Sequence, residues 1–345
     1  MRISMPLSYS ADPKQQVDRV VELEKVGLDR VWVAEAYGFD GATLMGYLAA
    51  RTTTVEIGSA ILPLYSRTPT LIAQTAAGLD YLSDGRAVIG LGASGPQVIE
   101  GWHGVPYSKP LSRTRDIIEI CRKVWARREP LTHDGAVYTL PLPPEHGTGL
   151  GKPLKIINHP VRDRIPMYVA SLGEKNVKLT AEIADGWLPI FFIPEKAEQV
   201  WGEALAAGKA NRDPDLGELE ISTGGLLAIG EGEDTKRLLE LARPHLALYI
   251  GGMGAKNKNF YATLARRYGY GDAAETIQDL YLAGKKEEAA AAVPEELVEL
   301  TNLVGPESYV RERVEAFREA GVTHLNVTPL GDDPVGLVEK VRGWL

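Results

Sequence analysis

Short apolar runs and helical stripes alternate along most of the chain. Ile3–Leu7 predicts a first strand. Val17, Val20, Val21, Leu23 and Val26 then recur at helical spacing, with Gly27 as the stop. Arg30–Ala34 predicts a second strand that runs straight into Glu35, and Ala42–Arg51 a helix. Val55–Leu62 predicts a third strand. Thr68–Leu82 predicts a long amphipathic helix with Pro69 tolerated in its first turn. Asp84-Gly85 turns the chain into a fourth strand, Ala87–Leu91, followed by a helix over Leu111–Trp125.

The alternation breaks from Glu129 to Arg164, where Pro and Gly crowd the sequence LPLPPEHGTGLGKP; an extended excursion or short hairpin is expected. It resumes with strands at Ile165–Ala170 and Gly186–Ile190 and helices at Gly173–Ala184 and Glu195–Ala210. Leu219–Ile229 predicts a seventh strand. From Asp234 to Pro306 the pattern is helical and predicts no strand. Tyr309–Ala320 predicts a helix, Val322–Val327 an eighth strand, and Gly336–Leu345 a last helix.

Eight strands alternating with helices over a single domain, residues 1–345, predict a (β/α)8 TIM barrel. Insertions are expected after strands 4 and 7, over about 129–164 and 231–305, both capping the catalytic face. An open doubly wound sheet is the competing architecture. It calls for a GxGxxG turn after an early strand, whereas the first strand here leads into Ser8-Tyr9-Ser10. In a barrel the loops after the strands carry the chemistry. These lie near Ser8, Glu35, Ser59–Tyr65, Gly92–Trp102, Ser171–Lys175, Pro189–Phe192, Gly230 and Pro329.

Composition narrows the chemistry. The chain has 345 residues, a net charge of -8 and one cysteine, Cys121. An acidic chain argues against broad nucleic-acid binding, and one cysteine excludes an intrachain disulfide and a cysteine metal cluster. The start, MRISMPLS, is no secretory signal, and no apolar run reaches the roughly 18 residues that span a bilayer. A cytoplasmic protein without a membrane anchor is expected. The six histidines form no HxH or HExxH pattern, so no metal is expected. Cys121 stands among Ile117, Ile118, Ile120 and Val124 and reads as core, and no GxSxG elbow supports a hydrolase.

The remaining candidates favour a phosphate-bearing cofactor. Ser171-Leu172-Gly173-Glu174-Lys175 lies at a strand-to-helix junction, where unpaired N–H groups and the helix dipole attract an anion. Glu35 ends a buried strand at the mouth, where the plain alternative is a structural ion pair. Gly95, before Pro96, admits close backbone approach by a flat ring. His103 and Trp102 share a mouth loop. His159 and His245 are pocket candidates whose alternative is a surface position. A barrel with a phosphate seat and few acids, bases or nucleophiles suits hydride transfer, in which the cofactor carries the reactive atom.

Several stretches then show a resemblance. Ala34-Glu35, Ile57–Pro63, Arg67-Thr68-Pro69, DYLSDGRAVIGLGASGP and Ala184-Asp185-Gly186-Trp187 resemble the bacterial luciferase-like superfamily of flavin and deazaflavin oxidoreductases. Ser94–Gly104, SGPQVIEGWHG, is similar to its branch that uses coenzyme F420. The resemblance covers nearly the whole chain. It implies a barrel with the deazaflavin at the C-terminal mouth, backed by a non-proline cis peptide at Ala60–Ile61. It further implies Glu35 near the polar end of the ring, Ser94 and Gly95 at the pyrimidine side, and the F420 phosphate on Leu172, Gly173, Glu174 and Lys175. C5 of the reduced cofactor would pass hydride to a small-molecule substrate shaped by Trp102, His103, His159, Phe191 and the insertion around His245 to Tyr261. Any proton transfer would fall to His103 or Glu35. A homodimer is implied as well.

The F420-dependent glucose-6-phosphate dehydrogenases have Asp-His where this chain has Glu35-Ala36, and Glu where it has Pro96. Sugar-phosphate oxidation is therefore not expected. The alternatives are an FMN-dependent monooxygenase on the same fold and a non-catalytic cofactor-binding protein.

Overall fold

In a computed structural model describing residues 1–254, 256 and 258–345, eight strands close into one parallel ring. They are β1 (Arg2–Leu7), β2 (Arg30–Val33), β3 (Glu56–Ser59), β4 (Ala87–Gly92), β5 (Met167–Val169), β6 (Gly186–Trp187), β7 (Glu220–Thr223) and β8 (His324–Asn326). Each pairs with its neighbour in sequence. β8 returns to β1 through Arg2↔His324, and Ile57↔Ala87 joins β3 to β4. The outer helices are α1 (Pro13–Glu24), α2 (Gly41–Arg51), α3 (Pro69–Leu82), α4 (Pro110–Ala126), α5 (Glu174–Ile183), α6 (Pro194–Lys209), α7 (Glu307–Glu319) and α8 (Pro334–Arg342). Asp12, Asp40 and Thr68 accept backbone N–H bonds as N-caps of the first three, which sets where each helix begins. The apolar stripes predicted from the sequence form the layer between strands and helices, including Val17, Val20 and Leu23 of α1 and Ile117, Ile120 and Cys121 of α4.

Large rings fill the barrel interior because glycines stand opposite them. A Cβ at Gly58 would overlap the Trp32 ring, and one at Gly186 the Tyr168 ring. Beneath these rings lies a charged floor. Arg30 donates to Glu56 at 2.6 and 2.8 Å and to the Tyr168 hydroxyl at 2.5 Å, and Tyr168 in turn bonds Glu220. His324 sits in this floor with Nδ1 at 3.0 Å from Thr323 Oγ1 and no partner on Nε2.

Burial first, then the positive charge of Arg30, Arg2 and the N-terminal amine, pushes His324 down to about 2. Glu220 lies 3.9 Å from Nδ1 but is already engaged by Tyr168. The folded protein thus keeps His324 neutral while the unfolded chain protonates it below about pH 6.5. Stability must then fall with acidification below that point, by up to ~1.4 kcal/mol per pH unit from this residue. Urea unfolding of wild type and His324→Gln at pH 7, 6 and 5 checks this: the variant should show the flatter dependence, and equal slopes contradict it.

Four expectations need correction. The third predicted strand is interrupted: β3 stops at Ser59 and pairing resumes at Leu62–Pro63, with the cis Ala60–Ile61 peptide between them. The seventh is likewise split at Gly224-Gly225, where the backbones of Asn326 and Thr301 come too close for side chains. Beyond the split, Leu226–Ile229 leaves the ring and joins Leu303–Gly305 and Thr328–Pro329 in a small parallel sheet. Leu303–Gly305 is thus a strand within the stretch expected to hold none. Finally, the Pro/Gly-rich excursion follows α4 and precedes β5, so it is a helix-to-strand connection, not a loop directly after a strand. Its hairpin, His133–Asp134 with Thr139–Leu140, lies against α4 through Asp116, and Arg162 holds Asp80 and the Ala87 carbonyl where β4 begins.

Candidate active site

The mouth is built from the loops that follow the strands. After β2, Glu35 is almost fully buried and both its oxygens are taken. Arg67 donates to Oε1 at 2.5 Å and to Oε2 at 2.8 Å, and the Gly41 amide donates to Oε2 at 2.7 Å. Arg67 also pairs with Asp40, the N-cap of α2. Glu35 and Arg67 therefore lock the β2 loop, the start of α2 and the segment after β3 into one body. A carboxylate held this way is a fixed anchor for the surrounding loops, and three donors already occupy most of its acceptor sites. Arg67 was legible only as part of a motif; its partner lies 32 residues away.

Ala60 and Ile61 carry the cis peptide, with the Ala60 amide donating to the Val33 carbonyl at 2.7 Å. On the neighbouring strand end, Ser94 has φ +57, a left-handed conformation uncommon outside glycine. Such residues cluster at binding sites. Gly95 follows as N-cap of the short helix Pro96–Gly101 and has no side-chain capping bond. Ala60-Ile61 and Ser94-Gly95 thus end neighbouring strands at one mouth.

The Ser171–Lys175 turn is held from below by two buried indoles. Trp187 Nε1 donates to the Ser171 carbonyl at 2.9 Å and Trp201 Nε1 to the Leu172 carbonyl at 3.0 Å. Gly173 is the N-cap of α5 and makes no side-chain capping bond. The amides of Gly173, Glu174 and Lys175 find no acceptor among the described residues. The Glu174 side chain is drawn aside to Arg267 of the insertion at 3.1 Å, while Lys175 is exposed with no ion-pair partner among the described residues. A Cβ at Gly173 would stand 3.5 Å from the Phe260 ring, so the cradle is narrow. Donor amides, a helix N-terminus and a lysine fit a phosphate.

The histidine candidates separate. His103 has its Nε2 closed to solvent and without a partner, so nothing in the mouth reaches that atom in this conformation. Any proton transfer by His103 would therefore have to use Nδ1, which is not sealed. Its neighbour Trp102 is 66% exposed at the rim, 6.5 Å from Tyr37. His159 is exposed, three residues before Arg162, and so belongs to the strand-start side of the barrel; this corrects its assignment to the pocket. His245 meets Phe191 at 5.6 Å, within an aromatic cluster completed by Tyr249 and Tyr261. Its surrounding protein pushes the imidazole below the usual histidine range, although part of the ring still faces open space. Tyr249 and Tyr261 lie in the stretch expected to shape substrate choice, but nothing in the local sequence singled them out. Cys121 is buried, and burial pushes its thiol upward, so it is inert core.

A parallel barrel with a bulge after β3, a left-handed turn after β4 and an anion cradle after β5 defines a class. The chain belongs to the luciferase-like monooxygenase family, whose profile matches residues 1–324. It is 42% identical, over 99% of its length and 97% of the other protein, to a Mycobacterium tuberculosis protein provisionally named a coenzyme F420-dependent oxidoreductase. It is 26% identical to the 5,10-methylenetetrahydromethanopterin reductase of Archaeoglobus fulgidus, covering 90% of this chain and 88% of that one. Among solved structures, the F420-dependent tetrahydromethanopterin reductase of Methanopyrus kandleri superposes with a TM-score of 0.78 at 22% identity, covering 99% and 96% of the two chains. No helix among the described residues is long and apolar enough to cross a membrane.

Proposed function

We propose that the protein is a coenzyme F420-dependent oxidoreductase that passes hydride between C5 of the deazaflavin and an organic substrate. The observation that carries this reading is the Gly173–Lys175 cradle, held rigid by Trp187 and Trp201 on the same mouth as the Ala60–Ile61 bulge. Similarity to F420-dependent relatives over the full chain supports it.

Bound F420 would supply a two-electron hydride carrier, which this chain's side chains do not offer. The residues bind, orient and shield. Gly173, Glu174 and Lys175 would hold the phosphate through their amides, with Lys175 adding charge. Ala60 and Ile61 would back the ring, and Ser94 and Gly95 would meet its pyrimidine edge. Glu35 acts as a positioning residue through Arg67. Sugar-phosphate oxidation is disfavoured, because neither Ala36 nor Pro96 supplies an acid or base. The reading includes a homodimer.

The luciferase-like family also holds flavin monooxygenases, so FMN is the competing cofactor. Equilibrium titration of the apoprotein with F420 and with FMN, followed by cofactor fluorescence, decides between them. F420 is expected to bind at least tenfold more tightly. Tight FMN binding without F420 binding would overturn the proposal, and binding of neither would favour a scaffold without redox chemistry.

A further inference from the structure

The insertion places an aromatic cluster at the mouth, where Tyr249 lies near Tyr9 and Tyr37 of the β1 and β2 loops. Tyr249 lies in a π-helical turn, Leu248–Gly252, and Tyr261 stands in the first turn of the helix Phe260–Arg267. Their rings meet edge to face at 4.7 Å, and both pack on Phe191 after β6, at 5.4 and 6.3 Å. A single buried residue ties the two tyrosines together. Asn259 Nδ2 donates to the Tyr249 and Ile250 carbonyls, each at 2.9 Å, and its Oδ1 accepts from the Tyr261 amide at 2.8 Å. Single π turns in helical segments recur at functional sites. The turn is seated by Gly251 and Gly252, which press against the Tyr281 ring.

The hydroxyls of this cluster are its unusual feature. Neither Tyr249 nor Tyr261 hydrogen-bonds through its hydroxyl to any described residue, and neither hydroxyl is sealed from solvent. Two half-buried hydroxyls without a partner among the described residues, side by side in one cluster, are free to donate to an acceptor that arrives from outside. Burial holds Tyr261 up at about 12 and raises Tyr249 too, so both are donors at neutral pH. The surrounding protein also disfavours the protonated form of His245, although the residue is exposed. The cluster therefore offers flat apolar walls and neutral donors, with no charge of its own to replace the hydration of an anion.

Building on the F420 reading, we propose that this cluster takes a neutral, planar substrate with a carbonyl-type acceptor, bound by the Tyr249 and Tyr261 hydroxyls.

The full chain, loaded with F420 and checked by co-elution of cofactor fluorescence, is titrated by calorimetry with three probes of one shape. These are 2-acetylnaphthalene, its carboxylate counterpart 2-naphthoate, and 2-isopropenylnaphthalene, which has no acceptor. The ketone should bind at least fivefold more tightly than the hydrocarbon, and the carboxylate more weakly than either. Tyr249→Phe and Tyr261→Phe keep the ring packing, and each should weaken ketone binding roughly fivefold while leaving the hydrocarbon unchanged. Equal binding of ketone and hydrocarbon, preference for the carboxylate, no ketone binding, or unaltered ketone affinity in both variants would overturn the proposal. If F420 does not load, the cofactor reading fails by itself, and the same titrations on the apoprotein decide the cluster's role by the same criteria.

Discussion

Replacing Arg67 with alanine should lower stability by about 3 kcal/mol and weaken F420 binding more than tenfold. Arg67 is the only partner that neutralises Glu35 among the described residues, and both side chains are nearly buried, at 10% and 8% exposure. Removing one member of such a pair leaves a charge without water and without a counter-ion. The loss also releases Asp40, so the start of α2 loses an ion pair next to its cap. Because the same guanidinium joins the β2 loop to the segment after β3, the damage reaches the Ala60–Ile61 wall. Arg67→Lys keeps the charge but not the two-pronged geometry, and should recover part of the stability. Glu35→Gln with Arg67 intact should cost less, since the amide still meets one donor. Urea denaturation and F420 titration of the three variants check the order. An Arg67→Ala protein as stable as wild type would show that the pair is dispensable.

The second large effect is at Gly173. Its backbone, with φ -73 and ψ 142, is open to any residue, and a Cβ would meet the Phe260 ring at an ordinary 3.5 Å. Gly173→Val should therefore fold, losing about 1 kcal/mol or less. The added methyl groups would stand over the amides of Glu174 and Lys175, where the phosphate is proposed to sit. F420 affinity should fall by a hundredfold or more, because charge-assisted bonds to the phosphate are the strongest contacts the cradle offers. Lys175→Ala, which removes charge and keeps the amides, should cost less than tenfold. Unchanged affinity in Gly173→Val would refute the seat.

The ring of strands was legible because each strand and helix carries its own apolar period, and those periods repeat eight times. What escaped prediction depends on contacts between distant segments. Leu303–Gly305 is three residues long and becomes a strand only because Leu226–Ile229 lies ready to pair with it. The excursion before β5 looks the same in sequence whatever it packs on; only the fold shows its hairpin on α4 and its end, Arg162, on Asp80. Within the site, the cradle could be read from Gly173 and its neighbours, since an anion seat at a helix start is a local property. The pairing of Glu35 with Arg67, the sealed Nε2 of His103 and the meeting of Tyr249 with Tyr261 are not local. Each requires the folded positions of segments from different loops. The stretch from His245 to Tyr261 was placed near the substrate, but its tyrosine hydroxyls gain meaning only once their lack of partners is visible.

The most direct test of the account is a crystal structure with F420 bound. It should show the phosphate on the amides of Gly173, Glu174 and Lys175, the deazaflavin ring against Ala60–Ile61, and its pyrimidine edge at Ser94 and Gly95. The face opposite the bulge should open toward Tyr249 and Tyr261. A phosphate bound away from α5, or a ring lying outside the mouth, would contradict it.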